Sequence, residues 1–409
     1  MAEMPNLTAA RLREFLADVC PRVRIDLAGA MNLPCRLPHE PAWREWVASG
    51  RHAGLSYMSR DPAGRADPTR DNPWARSVLV FAQRYTDGWG LRVEIPWGES
   101  GSDQPWTDGV ARYARGFDYH DVLRRDISSV IAALKRELPG LRAHPAVDTG
   151  PYLERELAWL AGLGFFGKNT CLIHERLGSG FFLGVALTNL TITGLPPVEV
   201  PAAEPLWAAV TRSGKAGRYR QAGRLVDASP RGSGLDISVA SRCGRCRFCL
   251  DACPTGALDA SFRLDARLCI ATWTIEWRGA ASLDQRHLQG KWLFGCDICQ
   301  AVCPWNLRSA ARAIGQPPRR EYACLPAHGE IDLADLIDLS QAEFRRRFRR
   351  TPLWRTHLEG MRRNALTVAA NTGQRELVGR VARPALFPDD IQMQALARWA
   401  RKRVEEQEP

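Results

Sequence analysis

The chain has 409 residues and a formal net charge of +11, with 56 Lys and Arg against 45 Asp and Glu. A hydrophobic content of 45% is ordinary for a globular protein, and the length allows two or three domains. No run of about 18 apolar residues occurs, which argues against a membrane span. The sequence pI near 9.3 favours a polyanionic partner, although a genome that favours Arg codons would produce the same excess.

The first half of the chain mixes helical and strand patterns. Apolar residues at helical spacing predict a helix over residues 8–19 that ends before Pro21, and residues 77–85 read as a buried strand. Residues 86–110 are rich in Gly, Asp, Pro and Trp, so we expect a loop or lid there. A further helix after Tyr119 and two strands between residues 170 and 192 complete the predicted α/β pattern.

The stretch from Gly162 to Asn169 satisfies the pattern G-x-G-x-x-G and departs from a P-loop only at Asn169. Both nucleotide-binding motifs require a preceding strand, whereas a helix is predicted to precede this stretch. We therefore reject both motifs. Small residues here are expected to let the backbone approach a large flat ligand or a neighbouring segment.

Eight of the twelve cysteines lie between residues 243 and 303, in two groups that each end in Cys-Pro. The first group is a C-x2-C-x2-C-x3-C-P run, typical of bacterial two-cluster iron–sulfur proteins, in which the fourth cysteine ligates the other cluster. We therefore predict two [4Fe–4S] clusters. Their ligands would be Cys243, Cys246, Cys249 and Cys303 for one cluster, and Cys253, Cys269, Cys296 and Cys299 for the other.

A disulfide framework or zinc sites would also use clustered cysteines. Disulfide lattices suit small secreted domains, whereas this chain is long and opens Met-Ala-Glu-Met-Pro, without the charged and apolar regions of an export signal. Zinc favours C-x2-C pairs with no fixed third cysteine and no trailing proline. The pattern therefore favours two cubanes, and the need for reduced thiols predicts a cytoplasmic protein.

Several motifs taken together resemble the epoxyqueuosine reductase family. Besides the cysteine groups they are Val147-Asp148-Thr149-Gly150-Pro151, Glu154-Arg155, Ala161-Gly162-Leu163-Gly164 with Gly167-Lys168-Asn169, and Gly295-Cys296-Asp297-Ile298-Cys299-Gln300. The resemblance covers most of residues 40–375. It implies an enzyme that reduces the epoxide on the modified wobble base of certain tRNAs, with cobalamin and two [4Fe–4S] clusters as cofactors.

The resemblance implies an α+β fold in four parts. These are an α/β cobalamin- and substrate-binding domain over residues 1–192, an insertion or linker over 193–240, a ferredoxin-like two-cluster domain over 241–310, and a helical HEAT-like domain over 311–409. The last part would help to hold tRNA. The segment from 193 onward is rich in Gly, Ser and Arg, and we expect it to be partly mobile.

The resemblance also implies roles for individual residues. Asp148 stands where the family has its proton donor; a helix cap is the alternative role. The residues expected to bind cofactor are Arg65, Asp148, Lys168, Leu172 and Leu183, and those expected to contact tRNA are Arg278, Arg349, Arg350, Arg362 and Arg363. A carboxylate beside a helix start would stay ionised, so Asp148 would need desolvation, by a cofactor face and Phe165-Phe166, to raise its pKa.

The partners implied are a tRNA anticodon stem-loop and an external low-potential electron donor such as a flavodoxin or ferredoxin, for a monomeric protein with no membrane contact. Two other functions remain open. A corrinoid iron–sulfur reductase of the dehalogenase type would act on a small molecule and would not need the basic helical tail. A ferredoxin-type electron-transfer module would leave the long segment before the cysteines without a role.

Overall fold

The computed structural model of the chain describes residues 5–35, 37–86, 109–195, 224–227, 242–279, 282–312, 319–325, 328, 331–383, 387 and 389–407. Most of the predicted loop or lid at 86–110 lies outside this described part. Most of the predicted insertion at 193–240 also lies outside the described part, so its expected mobility stays a prediction.

Besides a 3-10 turn (Arg112–Ala114), the N-terminal half contains nine strands and six α-helices within the described residues. In chain order they are β1 (Asn6–Thr8), α1 (Ala9–Arg22), β2 (Leu27–Asn32), α2 (Glu40–Ala48), α3 (Ser56–Ser59), α4 (Pro62–Ala66), β3 (Ser77–Arg84), α5 (Tyr119–Glu137), β4 (Ala143–Ala146), α6 (Glu154–Leu160), β5 (Phe165–Phe166), β6 (Leu172–Ile173), β7 (Phe181–Thr188), β8 (Thr191–Thr193) and β9 (Arg224–Asp227). The strand predicted at 77–85 is confirmed. The first helix is confirmed too, but it continues through Pro21, because a proline in the last turn removes only one amide donor.

Five strands form an antiparallel sheet in the order β4-β7-β3-β2-β9. Helices cover both faces, which explains why β3 is apolar along nearly its whole length. Leu79 and Phe81 face the core shared with α1 and α5, whereas Val78, Val80 and Ala82 face the core shared with α6. Sequence reasoning missed β9, because four residues in a Gly- and Arg-rich stretch carry little periodic signal.

Gly164 explains the small residues that precede β5. A Cβ atom at this position would lie 2.4 Å from the carbonyl oxygen of Ile173 in the paired strand β6. Real Cβ atoms do not approach backbone that closely, so only glycine lets the two strands pair here. The G-x-G-x-x-G pattern therefore allows backbone packing, one of the two roles predicted for it.

The C-terminal half is helical in its described residues. Its elements are α7 (Phe248–Asp251), a π-helix (Thr272–Glu276), α8 (Leu283–Leu288), α9 (Ile298–Ala301), α10 (Pro304–Arg312), α11 (Leu333–Asp338), α12 (Gln341–Phe348), a 3-10 turn (Pro352–Thr356), α13 (His357–Asn371), α14 (Arg375–Val381) and α15 (Ile391–Glu406). Helix α13 packs against α11, α14 and α15. Their core continues into Ile275, Leu293 and Phe294 of the cysteine region. Among the helices described, none is long and apolar enough to span a membrane.

Buried polar contacts anchor the C-terminal half on the sheet domain. Arg319 binds the carboxylate of Asp126 and donates to the carbonyl oxygen of Val23 at 2.8 Å. The hydroxyl of Tyr322 donates to the side chain of Gln83, a buried residue of β3. Because buried polar groups need such partners, these contacts specify how the two halves pack.

Candidate active site and cluster centres

A pocket of about 1000 Å³ opens between the sheet domain and the cysteine region. Four residues expected to bind cofactor line it: Arg65, Asp148, Leu172 and Leu183. The opposite side is formed by residues of the cysteine region, including Phe262 and Gln300. The volume stands at the upper end for small-molecule sites, so the pocket accommodates a large ligand.

Aromatic side chains form much of the pocket wall, and apart from Phe166 sequence reasoning missed them. They are His39, Trp43, Trp46, Tyr57, Tyr85, Tyr113, Tyr119, Tyr152, Trp159, Phe166, Phe181, Phe182 and Phe262. No periodicity distinguishes an aromatic residue that lines a pocket from one inside a core. Two buried donors in this wall, Trp43 Nε1 and Arg65 Nε, find no hydrogen-bond partner among the residues that the structure describes. A ligand that carries hydrogen-bond acceptors therefore fits the pocket.

The two phenylalanines of β5 point in opposite directions, as successive residues of a strand do. Phe166 lines the pocket beside His39, with 4.9 Å between the ring centroids. Phe165 instead packs against Trp305, at 5.2 Å, next to the cysteine region. Of the predicted aromatic pair, only Phe166 faces the pocket.

Asp148 lies in the loop between β4 and α6 with a left-handed backbone, φ 54°. Its carboxylate accepts a hydrogen bond of 2.8 Å from the Tyr119 hydroxyl and lies 3.3 Å from Nε2 of His120. Its backbone N–H donates to Oε1 of Glu154 at 2.8 Å. Asp148 is not a helix cap, because α6 begins at Glu154 and the capping position is Leu153.

Taken together, the residues of the chain alone do not raise the pKa of Asp148, so the predicted rise depends on the cofactor face. Desolvation by the surrounding pocket walls raises this pKa, but the hydrogen bond and charge of His120, the Tyr119 hydroxyl and the charge of Arg355 together bring it below its usual value. For His120, burial lowers the pKa, but hydrogen bonds to Asp118 and Asp148 outweigh burial and raise it to about 9. At neutral pH the pair is therefore carboxylate and imidazolium, with the proton on His120.

The raised pKa of His120 predicts how stability depends on pH. A group whose pKa is higher in the folded state stabilises that state fully below its unfolded value, here 6.5, and loses this contribution as the pH rises through about 9. The melting temperature, followed by circular dichroism at fixed ionic strength, should therefore fall across this window. His120→Gln should flatten the profile. An unchanged slope in that variant would assign the pH dependence to another group.

The first predicted ligand group is brought together by the fold. Its thiols are free, and Cys303 from the second cysteine group joins Cys243, Cys246 and Cys249. Burial, followed by the nearby thiols of Cys243, Cys303 and Cys246, raises the pKa of Cys249 to about 12. Thiols that oppose each other's ionisation in this way are held as thiolates by a bound cationic centre.

The second group has the same character. Burial raises the pKa of Cys269, and the neighbouring thiol of Cys253 adds to that effect. The pKa of Cys296 is also raised by burial and then by Cys269 and Cys253, and Cys299 lies beside Cys296 and Cys269. Within the described residues, no three His, Cys, Asp or Glu side chains are gathered around a point for a single metal ion. Four thiols are the donor set of a [4Fe–4S] cluster.

A ninth cysteine, Cys171, lies between the pocket and the second group. It lines the pocket, and its thiol is hydrogen-bonded to the thiol of Cys299. Gln300, which follows Cys299 in the chain, lines the pocket as well. The second thiol group therefore adjoins the pocket wall. Cys171 was missed because it lies far from the cysteine runs in sequence.

Lys168 is placed differently from the prediction. It is not part of the pocket lining, and its Nζ donates to the carbonyl oxygens of Gly244 and Cys246, each at 2.8 Å. Both acceptors belong to the first cysteine run. Lys168 therefore stabilises the loop that carries the first thiol group.

The five arginines expected to contact tRNA fall into two sets. Arg278, Arg362 and Arg363 each donate to backbone carbonyls. The carbonyls that Arg363 binds lie in the π-helix and in the loop after it. Burial lowers the pKa of Arg363 to about 10. Arg349 and Arg350 are exposed at the end of α12. The first set therefore holds α13 and the turn before it in place. Arg362 and Arg363 are partly buried, whereas Arg278 is exposed like the second set.

Fold and site together define an iron–sulfur enzyme with a large ligand pocket beside one of its two thiol groups. Residues 242–306 match the family described as a 4Fe-4S double cluster binding domain, and residues 65–149 match the epoxyqueuosine reductase QueG family. The chain is 32% identical over 328 residues to epoxyqueuosine reductase of Pseudomonas aeruginosa, covering 80% of this chain and 76% of that protein. It is 34% identical over 331 residues to epoxyqueuosine reductase of Gloeobacter violaceus, covering 80% and 86%. The chain belongs to the epoxyqueuosine reductase family of oxidoreductases.

Solved structures have the same fold. One is an epoxyqueuosine reductase with a tRNA-Tyr epoxyqueuosine-modified stem loop, with a TM-score of 0.73, 24% identity, and coverage of 97% of this chain and 91% of that one. Another is the Bacillus subtilis enzyme with its catalytic aspartate loop swung out of the active site, with a TM-score of 0.73, 23% identity and the same coverage.

Proposed function

We propose that this protein reduces the epoxide of epoxyqueuosine at the tRNA wobble position to give queuosine, with cobalamin in the pocket and two [4Fe–4S] clusters. The observation that carries the proposal is the pocket itself, which has Asp148 in one wall and Cys171, in contact with Cys299, in another. Cobalamin, when bound, supplies a low-potential cobalt centre that can open a strained carbon–oxygen bond.

The residues of the pocket suit such a cofactor. Leu172 and Leu183 offer apolar surface, while Trp43 Nε1 and Arg65 Nε offer unsatisfied donors to the amide groups around a corrin ring. Aromatic side chains around them would exclude water and strengthen electrostatic interactions inside.

The route for electrons follows from the order of the thiol groups. The second group adjoins the pocket through Cys171, so its cluster would deliver electrons there. The first group lies in a run with an exposed Arg245 and with Phe248, whose side chain is 59% exposed. An apolar patch among positive charges suits an acidic donor such as a flavodoxin or ferredoxin.

Asp148 is the proposed proton donor, with His120 as its source. The carboxylate is 54% exposed, facing the pocket, and His120 holds a proton at neutral pH. A bound cofactor and substrate would displace water and raise the carboxyl pKa, so that a proton passes from His120 to Asp148 and on to the epoxide oxygen.

The exposed arginines of the tail suit tRNA. The carbonyl oxygen of Arg350 accepts a hydrogen bond from the backbone N–H of Asp118, at 2.8 Å, where α5 begins. Arg349 and Arg350 therefore stand close to the helix that carries His120. A HEAT-like arrangement of α11 to α15 would present this turn to the anticodon stem-loop of a cytoplasmic substrate, with the protein acting as a monomer.

Mass spectrometry of nucleosides from tRNA tests the function. Cells that lack this protein should accumulate epoxyqueuosine in place of queuosine, and the chain supplied on a plasmid should restore queuosine. An unchanged queuosine level in the deletion strain would refute the proposal. Turnover of an organohalide by the purified enzyme, with none of the tRNA, would favour the small-molecule reductase instead.

A further inference from the structure

Three parts of the chain meet at the rim of the pocket. Tyr57, which lines the pocket, comes from the sheet domain; Glu276 ends the π-helix; Arg355 lies in the 3-10 turn before α13. The Nε–H of Arg355 donates to the carboxylate of Glu276, and its guanidinium carbon lies 5.3 Å from the centre of the Tyr57 ring. We call these three residues the rim junction.

Three arginines and three acids meet around this junction. Arg278 donates to the carbonyl oxygen of Arg355 at 2.8 Å, and the two guanidinium groups repel each other. Arg278 also repels Arg363. The acids that act on Arg278 are Glu276 and Glu359. Asp148 acts on Arg355 as well, so an anion from outside would have to compete with Glu276 for the guanidinium of Arg355.

Arg355 and Arg278 are both exposed to such an anion, and Arg355 is the one that contacts the pocket-lining Tyr57. The side chain of Arg355 is 41% exposed, whereas its partner Glu276 is only 17% exposed. Its charge also reaches into the pocket, because it helps to lower the pKa of Asp148. Arg355 thus stands at the entrance, within electrostatic range of the proposed acid.

An RNA base that enters the pocket must leave its own phosphate at the entrance, since the backbone cannot follow the base inside. Arginine binds phosphate through charge-assisted hydrogen bonds, and such contacts position a nucleic acid on its protein. We propose that Arg355 binds the phosphate of the tRNA nucleotide whose base enters the pocket, and that Glu276 competes with that phosphate for the guanidinium until the RNA arrives. This inference rests on the proposed function, because it takes tRNA as the anion.

A purely structural role makes a different prediction. If the ion pair only bridges the cysteine region and the tail, removing either partner should have the same effect. If Arg355 binds phosphate, Arg355→Gln should weaken RNA binding, whereas Glu276→Gln should strengthen it by freeing the guanidinium. The two variants therefore separate the roles by opposite signs.

The experiment uses the full chain, reconstituted anaerobically, and a fluorescently labelled anticodon stem-loop RNA, with anisotropy measured over a series of salt concentrations. Arg355→Gln should bind about tenfold more weakly at low salt. The slope of log K against log salt should shrink by about 0.7, as for one phosphate contact. Glu276→Gln should bind about two- to fivefold more tightly. Arg355→Lys should retain the slope.

Arg380→Gln is the matched control, because it makes the same charge change at an exposed position of α14 outside the rim junction. Iron content, cobalamin binding and melting temperature verify that each variant is folded. Equal weakening in Arg355→Gln and Glu276→Gln with unchanged salt slopes would overturn the proposal, and so would normal binding by Arg355→Gln. A separate assay tests the proposed function: the unsubstituted holoenzyme should reduce the epoxide. If it does not, the proposed function fails, whatever the RNA-binding results are.

Discussion

Asp148→Asn should lower turnover of epoxyqueuosine in RNA by about a hundredfold or more, while cobalamin and both clusters remain bound. Asparagine keeps the shape of the side chain and tolerates the left-handed backbone at φ 54°. It can still accept the hydrogen bond from Tyr119, but it cannot take a proton from His120. Single-turnover kinetics with the prereduced enzyme measure the chemical step directly.

Asp121→Asn is the matched control for that experiment. Asp121 is an exposed acid in the first turn of α5, close in sequence to His120. Its replacement should leave turnover near normal. If the fully loaded Asp148→Asn enzyme also turned over normally, Asp148 would not be the acid, and the network of Tyr119 and His120 around it would have only a structural purpose.

The unsubstituted protein should hold about eight irons and eight acid-labile sulfides after anaerobic reconstitution, as two cubanes require. Cys303→Ala should reduce both numbers to about four. The cluster lost should be that of Cys243, Cys246 and Cys249, because their thiols surround Cys303. Iron and sulfide assays, with electron paramagnetic resonance of the reduced protein, measure the change.

Cys324→Ala provides the control for cluster loss. Cys324 is a free, exposed thiol outside both groups, so its removal should leave all of the iron in place. An iron content near four in the unsubstituted protein would contradict the two-cluster assignment. If electrons enter through the first group, as proposed, Cys303→Ala should also slow electron entry from an external donor.

The sequence alone determined the features that depend on local spacing. The cysteine runs predicted eight ligands and their crossover pairing, because the spacing is that of two-cluster iron–sulfur proteins whose fourth cysteine ligates the other cluster. The apolar run at residues 77–85 predicted a buried strand for a similar reason, since a strand whose two faces are both covered is apolar along its length. The motif around Asp148 led to the family, and through the family to the pocket residues Arg65, Leu172 and Leu183.

Only the tertiary structure decided the features that depend on distant partners. The pKa of Asp148 is lowered because α5 brings His120 and Tyr119 against it. No spacing pattern in the sequence predicts that contact. Arg363 resembles a surface cation in sequence, yet its guanidinium is bonded to carbonyls more than eighty residues earlier in the chain. Electrostatic shifts and hydrogen-bond partners act through space over a few ångströms. They therefore follow from how the chain folds back on itself, and local sequence does not encode that packing.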